Sequence, residues 1–163
     1  MNIRSAVIAD LDALVSLSGY VLSLHAESMP SLFRARPPAA EVAEAFRKML
    51  EDPNGLWLIA EEEAPCGCLY AQFHDRQENW CRPPLRFCNI SHIVVHPTAR
   101  KKGVARQLID AIVQEADKRG FPRVELEVWS FNKEARAAFC QLGFQVFQER
   151  MELAQPASSS SRC

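Results

Sequence analysis

A basic turn between a strand-like run and a helix-like run constrains the fold of this chain more than any other feature. The run "NISHIVVHP" is short and apolar, and "ARQLIDAIVQEADKRG" repeats its apolar residues at helical spacing. Between them, "RKKGVA" at positions 100–105 places three cations ahead of a glycine and two small residues. A strand that passes directly into a helix in this way predicts one strand–helix unit of a sheet protein.

The same turn has the chemistry of an anion site. A helix N-terminus has unpaired N–H groups and a partial charge of roughly +0.5. Gly103 lets a phosphate approach the backbone, Ala105 keeps the first turn clear, and the adjacent cations of 100–102 add charge-assisted contacts. The formal net charge is only -1, so the cluster is local rather than part of a broad basic surface for nucleic acid or membrane. We therefore predict a pyrophosphate-binding turn; the alternative is a basic surface loop before an ordinary helix.

Hydrophobic periodicity predicts the remaining elements. A short strand and a helix open the chain, a second helix covers 41–50, and strands follow in "LWLIAEEE" and "CGCLYAQFHD". A long strand covers 85–96 and a helix covers 104–119. After them come a strand in "RVELEVW", a short helix in "KEARAAFCQL" and a final strand in "FQVFQERMEL". This order predicts an α+β (mixed α/β) sheet with helices on both faces.

Length and composition fit one domain. A chain of 163 residues is long enough to bury a core without disulfides or metals. We expect a single domain over residues 1–153, followed by a low-complexity tail, "AQPASSSSRC", that the composition predicts to be disordered. No apolar run approaches the roughly 20 residues that span a bilayer, and no signal pattern opens the chain. We therefore expect a cytoplasmic protein that binds neither membrane nor nucleic acid.

The spacing of cysteine and histidine residues indicates neither a disulfide framework nor a metal site. The six cysteines are irregularly spaced, and in a cytoplasmic protein such residues are mostly reduced and half-buried. His92 and His96 share one predicted strand, where four residues span about 13 Å, too far for both to bind one zinc ion. We therefore predict no metal. His92 could instead act as a base, contact the acceptor, or be a structural histidine of the strand.

The order of these motifs resembles the GNAT superfamily of acyl-CoA-dependent N-acetyltransferases. The resemblance extends from "IRSAVIADLDALVSL" to "LGFQVF", and its diagnostic part is "ISHIVVHPTARKKGVARQLIDAIV" followed by "LEVWSFNKEARAAFCQLGF". It implies a GNAT acyltransferase fold, with a central twisted mixed sheet of about seven strands flanked by about four helices. It also implies acetyl-CoA as the cosubstrate, with no metal.

The resemblance assigns contacts to this cosubstrate. The pyrophosphate would be held by the turn and the helix start, through Arg100, Lys101, Lys102, Gly103, Val104, Ala105 and Arg106. The main chain of Ile93, Val94 and Val95 would pair with the pantetheine arm as if the arm were another strand. Asn132 matches an asparagine of the family that contacts this arm. As the first residue of a short helix it also suits the role of N-cap, and the two roles are compatible.

The resemblance also suggests how the amine is activated. An alkyl ammonium has a pKa of about 10 and must lose a proton before it attacks, which requires a base or a water chain leading to one. Glu127 resembles the catalytic glutamate of ribosomal-protein N-terminal acetyltransferases; the alternative is a solvent-facing strand carboxylate like Glu125, which shares its face. A backbone N–H near Val94 or Val95, where the family's strand usually bulges, would polarise the carbonyl oxygen.

One residue of the family pattern is missing. The usual motif Y-x-x-x-G-F reads "FCQLGF" here, so Phe139 stands where a tyrosine would protonate the leaving thiolate. A thiol with a pKa of about 8.5 can depart unprotonated, so we expect a working enzyme. Because Phe139 cannot donate a proton, a non-catalytic acyl-CoA-binding regulatory module is the alternative.

The predicted function is that of a cytoplasmic N-acetyltransferase that acts on a primary amine of a small molecule, peptide or protein. We expect the acceptor to be bound by residues 25–38 and 75–84, because these regions vary in the family and shape the acceptor side. Protein N-termini, amino acids, polyamines and aminoglycosides all stay open as acceptors, and a homodimer stays open as the assembly.

Overall fold

The computed structural model describes residues 1–153, and the tail over 154–163 lies outside the described residues. The described chain contains five strands and four α-helices. The strands are β1 (Asn2–Ser5), β2 (Gly55–Glu61), β3 (Pro65–Arg76), β4 (Leu85–Val95) and β5 (Arg123–Leu126). The helices are α1 (Leu11–Ser28), α2 (Ala39–Glu51), α3 (Val104–Lys118) and α4 (Lys133–Gln141).

The strands form one mixed sheet in the order β1-β2-β3-β4-β5. The first four are antiparallel neighbours, and β5 pairs with β4 in parallel. Antiparallel strands can be joined by a tight turn, whereas a parallel pair needs a crossover, which α3 provides between β4 and β5. The mixed α+β class predicted from the sequence is therefore confirmed.

Alternation along β3 divides the core between the two faces of the sheet. Cys68 and Tyr70 pack with α1 and α2, whereas Leu69 and Ala71 pack with α3. All four side chains are buried. Because successive strand residues point to opposite faces, a strand that is apolar at every position must be covered on both. The prediction of helices on both faces is confirmed.

The helix that follows the basic turn has the predicted amphipathic pattern. Its buried residues Val104, Leu108, Ile112 and Ala116 recur every four positions and pack on the sheet. Gly120 follows with a φ of +75°, a left-handed conformation that glycine adopts without a steric penalty. The buried stripe anchors the start of α3, and with it the basic turn, against the sheet.

A β-bulge at Ser91 divides β4 into two halves. β3 pairs Tyr70 with His92 and Ala71 with Ile90, so Ser91 is the extra residue of the ladder. On the other side, β5 pairs with β4 only as far as Ile90. Beyond that point β4 and β5 separate, and the second half of β4 has a strand partner on one side only.

Two strand predictions were wrong in extent. β5 ends at Leu126 rather than at Trp129, because pairing with β4 stops just before the bulge. No strand forms over residues 144–153, although "FQVFQERMEL" begins with strand-like alternation. Phe144 instead packs against the α3 face, and Phe147 lies under the guanidinium of Arg123. Alternation makes a strand only where a sheet edge pairs with it, so the described residues form five strands rather than about seven.

Candidate active site

The separation of β4 and β5 opens a cleft beside α1 and α4. Its cavity has a volume of about 190 Å³. Walls are contributed by β4, by the segment that follows β5, and by the two helices. Five of the residues singled out in the sequence line it, namely His92, Ile93, Glu127, Asn132 and Phe139. The fold therefore brings together residues from three separate motifs.

The second half of β4 presents free main-chain groups to this cleft. In an antiparallel pair, successive residues direct their N–H and C=O groups to opposite edges. The N–H of His96 donates to the carbonyl of Cys66 at 2.8 Å, on the β3 side. The main chain of Val94 therefore also faces β3, whereas the groups of Ile93 and Val95 face the open edge. Of the three residues predicted to pair with an extended arm, only these two are oriented to do so.

The basic turn exposes a run of amide groups. Lys101 and Gly103 adopt left-handed φ angles of +61° and +81°. Within residues 1–153, the backbone N–H groups of 101–106 donate no hydrogen bond to a protein acceptor. The first hydrogen bond of the helix runs from the N–H of Gln107 to the carbonyl of Gly103, at 3.1 Å. Successive free amides of this kind form a concave anion site.

The side chains of the turn divide into exposed cations and packing residues. The exposed cations are Arg100, Lys101, Lys102 and Arg106. Val104 is buried and Ala105 is half-buried, so they fix the helix start rather than contact a ligand through their side chains. The Nε of Arg100 donates to the carbonyl oxygen of Val95 at 3.4 Å, which places this guanidinium at the open edge of β4.

Asn132 is the N-cap of α4 and also lines the cleft. Its Oδ1 accepts a hydrogen bond from the backbone N–H of Ala135 at 3.1 Å. The cap uses only the amide oxygen, so the Nδ2 donors stay available to a ligand in the cavity. The two roles considered for Asn132 are compatible in the structure.

Glu127 stands at the point where β4 and β5 part. It directly follows Leu126, the last residue of β5 to pair with β4. Its side chain is exposed, lines the cavity and forms no ion pair within the described part of the chain. Glu125 differs, since its carboxylate pairs with Arg123 and does not line the cavity. Glu125 and Glu127 share one face by alternation, but only Glu127 lines the cavity and lacks an ion pair within the described residues.

His92 lies directly after the bulge, on the α1 side of β4. Its Nε2 is 2.8 Å from the Oγ of Ser18, a fully buried residue of α1, and its ring centroid is 5.5 Å from that of Trp57. Burial, with a smaller effect from nearby His25, lowers the pKa of His92 to about 4, so the ring is neutral at pH 7. This residue ties α1 to β4 while it borders the cavity.

Phe139 lines the cavity from the last turn of α4. Its ring centroid lies 6.0 Å from that of Phe144, in an edge-to-face arrangement. The adjacent Cys140 is exposed and does not line the cavity, as expected from the 100° turn between neighbouring helix residues. Its thiol is therefore not placed to substitute for the missing tyrosine hydroxyl.

Four aromatic rings cluster beside the cleft, and two of them, His25 and Trp129, line its cavity. We call them the aromatic wall: His25 of α1, Phe33 of the α1–α2 connection, and Trp129 and Phe131 of the β5–α4 connection. The ring centroid of Phe33 lies 4.9 Å from that of His25 and 5.2 Å from that of Trp129, and Trp129 stacks on Phe131 at 6.2 Å. Burial lowers the pKa of His25. The sequence indicated residues 25–38 as an acceptor segment and showed two aromatic residues in "VWSFN", but not that these rings meet.

One of the two segments predicted to bind the acceptor reaches the cleft. Residues 25–38 supply His25 and Phe33 to the aromatic wall. Residues 75–84 do not line the cavity. They join β3 to the start of β4, about 20 Å along the strand from the bulge at Ser91. Trp80, in this connection, is 95 % exposed.

Metal ligands do not cluster in the described chain. Within residues 1–153, no group of three His, Cys, Asp or Glu side chains could hold a metal ion. His92 and His96 take separate partners, since the Nε2 of His96 lies 2.9 Å from the hydroxyl of Tyr20. Over the same residues, the structure contains no helix with the length and apolar character needed to cross a bilayer.

A parallel strand pair that splits beside a turn of free amides suits a long, extended ligand with a phosphate group at one end. The family model of the acetyltransferase (GNAT) family matches residues 21–144, more than half of the chain. The chain therefore belongs to the GNAT acetyltransferase family, as its motif order predicted. The chain is therefore classed as an acetyl-CoA-dependent acyltransferase.

Known proteins resemble this chain in sequence and in fold. "Uncharacterized N-acetyltransferase YsnE" of Bacillus subtilis (strain 168) is 28% identical over 127 residues, which cover 77% of this chain and 78% of that protein. A mutant of the BH1408 protein from Bacillus halodurans is 22% identical, with a TM-score of 0.91 over 96% of this chain and 100% of that one. Aminoglycoside N-acetyltransferase AAC(6')-Iy in complex with CoA is 18% identical, with a TM-score of 0.70 over 95% and 99%. At these identities the two solved structures show a shared fold.

Proposed function

We propose that this chain transfers the acetyl group of acetyl-CoA to a primary amine of a small molecule by direct attack. The observation behind the proposal is the cleft itself. Free amides of 101–106 lie at its outer end, the open edge of β4 follows, and Glu127 stands where β4 and β5 part. We treat residues 1–153 as one acetyltransferase domain. We place it in the cytoplasm, where free thiols such as those of Cys66, Cys68 and Cys88 stay reduced.

The residues of the cleft suit acetyl-CoA along its length. The amides of 101–106 and the adjacent cations would hold the pyrophosphate. The open-edge carbonyl of Ile93 and the N–H of Val95 would hydrogen-bond the amide groups of the pantetheine arm, as a neighbouring strand would. The Nδ2 of Asn132, which the N-cap does not use, would donate to the same arm.

Each side of the gap between β4 and β5 contributes one group to the reaction: a base after β5 and a main-chain donor on β4. Bound acetyl-CoA supplies the group that moves: the amine nitrogen bonds to the thioester carbonyl carbon, the C–S bond breaks, and coenzyme A leaves as a thiolate. Glu127 accepts the amine proton, directly or through one water. The N–H of Ile93 is the open-edge amide nearest to Glu127 after the bulge, and it donates to the carbonyl oxygen. Ile93 replaces the two donors predicted from the resemblance. The amide of Val94 faces β3, and Val95 lies farther along β4 from Glu127.

Glu127 is preferred to His92 as the base because of the partners of the two side chains. Nε2 of His92 is engaged with Ser18 at 2.8 Å. Glu127 lines the cavity, and its carboxylate forms no ion pair within residues 1–153. His92 is accordingly assigned a positioning role, in which it holds α1 against β4 at the edge of the cavity.

The proposed base is tested by removing its charge while keeping its shape. We expect Glu127→Gln to lower kcat about 100-fold, the typical contribution of general base catalysis. The KM for acetyl-CoA should stay unchanged, because the cosubstrate contacts lie on other residues. The measurement is thiol release from acetyl-CoA across a panel of primary amines.

Glu125→Gln is the matched control, because it removes the same charge from a carboxylate that does not line the cavity. It should keep kcat within about twofold of the unchanged chain. Equal losses in the two variants, or full activity in Glu127→Gln, would reject Glu127 as the base. Tight CoA binding without turnover of any amine would instead favour the non-catalytic acyl-CoA-binding module.

A further inference from the structure

The aromatic wall and the charges of the cavity together restrict the acceptor. The four rings come from both sides of the cleft and interlock, since Phe33 contacts His25 as well as Trp129. His25 and Trp129 face the cavity directly. Aromatic faces of this kind bind apolar or aromatic groups through area burial and ring packing.

Negative charge in the cavity is limited to one side chain. Glu127 is the only carboxylate among the described residues that line it. The two histidines of the lining are His25 and His92, and burial lowers the pKa of both, which disfavours a positive charge on either ring. Glu27 and Glu134 line a separate groove along α1 together with Arg100, on the side of the basic turn.

From these observations we infer that the acceptor is a small primary amine with a single positive charge and an aromatic or apolar body. The inference rests on the proposed function and adds its substrate class. The ammonium group has one counter-charge, Glu127, which also removes its proton, and the body packs against the aromatic wall. A polyamine or an aminoglycoside would carry further ammonium groups into this cavity, where the described lining residues offer no second carboxylate to pair with them.

The test compares acceptors that differ in one property at a time. Phenethylamine carries one charge and a ring, propylamine carries the same charge without the ring, and spermidine and kanamycin carry several charges. With saturating acetyl-CoA, kcat/KM should be about tenfold higher for phenethylamine than for propylamine, as expected when a pocket distinguishes a few carbon atoms. It should be about 100-fold higher for phenethylamine than for spermidine or kanamycin.

Trp129→Ala tests whether the wall causes the preference. It should lower kcat/KM for phenethylamine about tenfold and change the value for propylamine by less than about twofold. Trp129→Phe should recover most of the lost preference, because it restores an aromatic face. Trp80→Ala is the matched control: it removes an indole that is 95 % exposed and does not line the cavity. It should leave both acceptors unaffected.

The outcomes separate the acceptor class from the proposed function. Higher kcat/KM for spermidine or kanamycin than for phenethylamine would overturn the acceptor class and leave acetyl transfer intact. Equal losses for phenethylamine and propylamine in Trp129→Ala would also overturn it, since the residue would then act on the fold or the chemistry rather than on the acceptor body. Absence of turnover with all four amines would overturn the proposed function as well.

Discussion

The two ends of the cleft are built in opposite ways. The basic turn at 100–106 is one contiguous segment that offers main-chain amides and cations. The aromatic wall takes its rings from three separate segments and offers mainly apolar surface, and burial lowers the pKa of His25, which disfavours its charged form. The first end suits a phosphate and the second suits an apolar body. An acetyltransferase with this cleft would recognise its cosubstrate through cations and main-chain amides, and its acceptor through shape and apolar surface.

The largest expected effect is at the charged end, in Gly103→Asp. Gly103 has a φ of +81°, where a side chain is strained, so an aspartate would shift the turn and displace the free amides that hold the diphosphate. A carboxylate there would also repel the diphosphate by about 1 kcal/mol or more. Together these effects should weaken CoA binding about 100-fold, which equals about 2.7 kcal/mol. Titration calorimetry with CoA measures the change.

Gly143→Asp is the control for this variant. Gly143 has a φ of +99°, so the substitution introduces similar backbone strain and the same charge after α4, away from the basic turn. CoA affinity should stay near that of the unchanged chain, even if the melting temperature falls. If both variants lost affinity equally, general destabilisation would explain the effect, and the phosphate site would lie elsewhere.

The stability of the fold around the cavity should respond to pH through His92. The folded pKa of His92 is about 4 and the unfolded value is about 6.5, so below pH 6.5 the unfolded chain binds a proton that the folded chain does not. Stability from this group is therefore present above pH 6.5 and is lost as the pH falls toward 4. Between pH 7 and pH 5 the loss should be about 2 kcal/mol of unfolding free energy. Urea denaturation at the two pH values measures it.

The control is His92→Gln, which keeps a polar side chain but does not titrate. Its unfolding free energy should fall by about 2 kcal/mol less than that of the unchanged chain over the same pH interval. Other groups that titrate contribute equally to both proteins and cancel in the difference. Identical pH slopes would show that His92 is not held neutral by burial.

The contrast between the two ends also explains what the sequence alone could predict. The basic turn was found because its chemistry is local: a glycine, three cations and a helical stripe beginning at Val104 all lie within a few residues. The family assignment followed from the order of such local motifs. The buried face of α3 and the helices on both faces of the sheet were predicted for the same reason, since periodicity is a property of neighbouring residues.

The features that were missed depend on residues far apart in the chain. The bulge was expected near Val94 or Val95 from the resemblance but lies at Ser91, because its position depends on the pairing of β4 with β3 and no side chain in "NISHIVV" marks it. The aromatic wall requires α1 to meet the β5–α4 connection, so Phe33 and Trp129 could not be paired from the sequence. The predicted final strand failed similarly, because alternation over 144–153 does not specify whether a partner strand is available.

The smallest expected effect lies between the two ends, at Phe139. Phe139→Tyr would restore the hydroxyl of the family motif on a ring that lines the cavity. A thiol with a pKa of about 8.5 already departs as a thiolate, so the gain in kcat should stay below about tenfold, or 1.4 kcal/mol. Phe144→Tyr is the control, since it adds the same hydroxyl to the neighbouring ring, 6.0 Å away and outside the cavity lining. A larger gain in Phe139→Tyr alone would show that protonation of the leaving group limits this enzyme. The cleft would then bind both substrates correctly but lack the acid that protonates the leaving thiolate. Its rate would be limited by this missing group rather than by substrate binding.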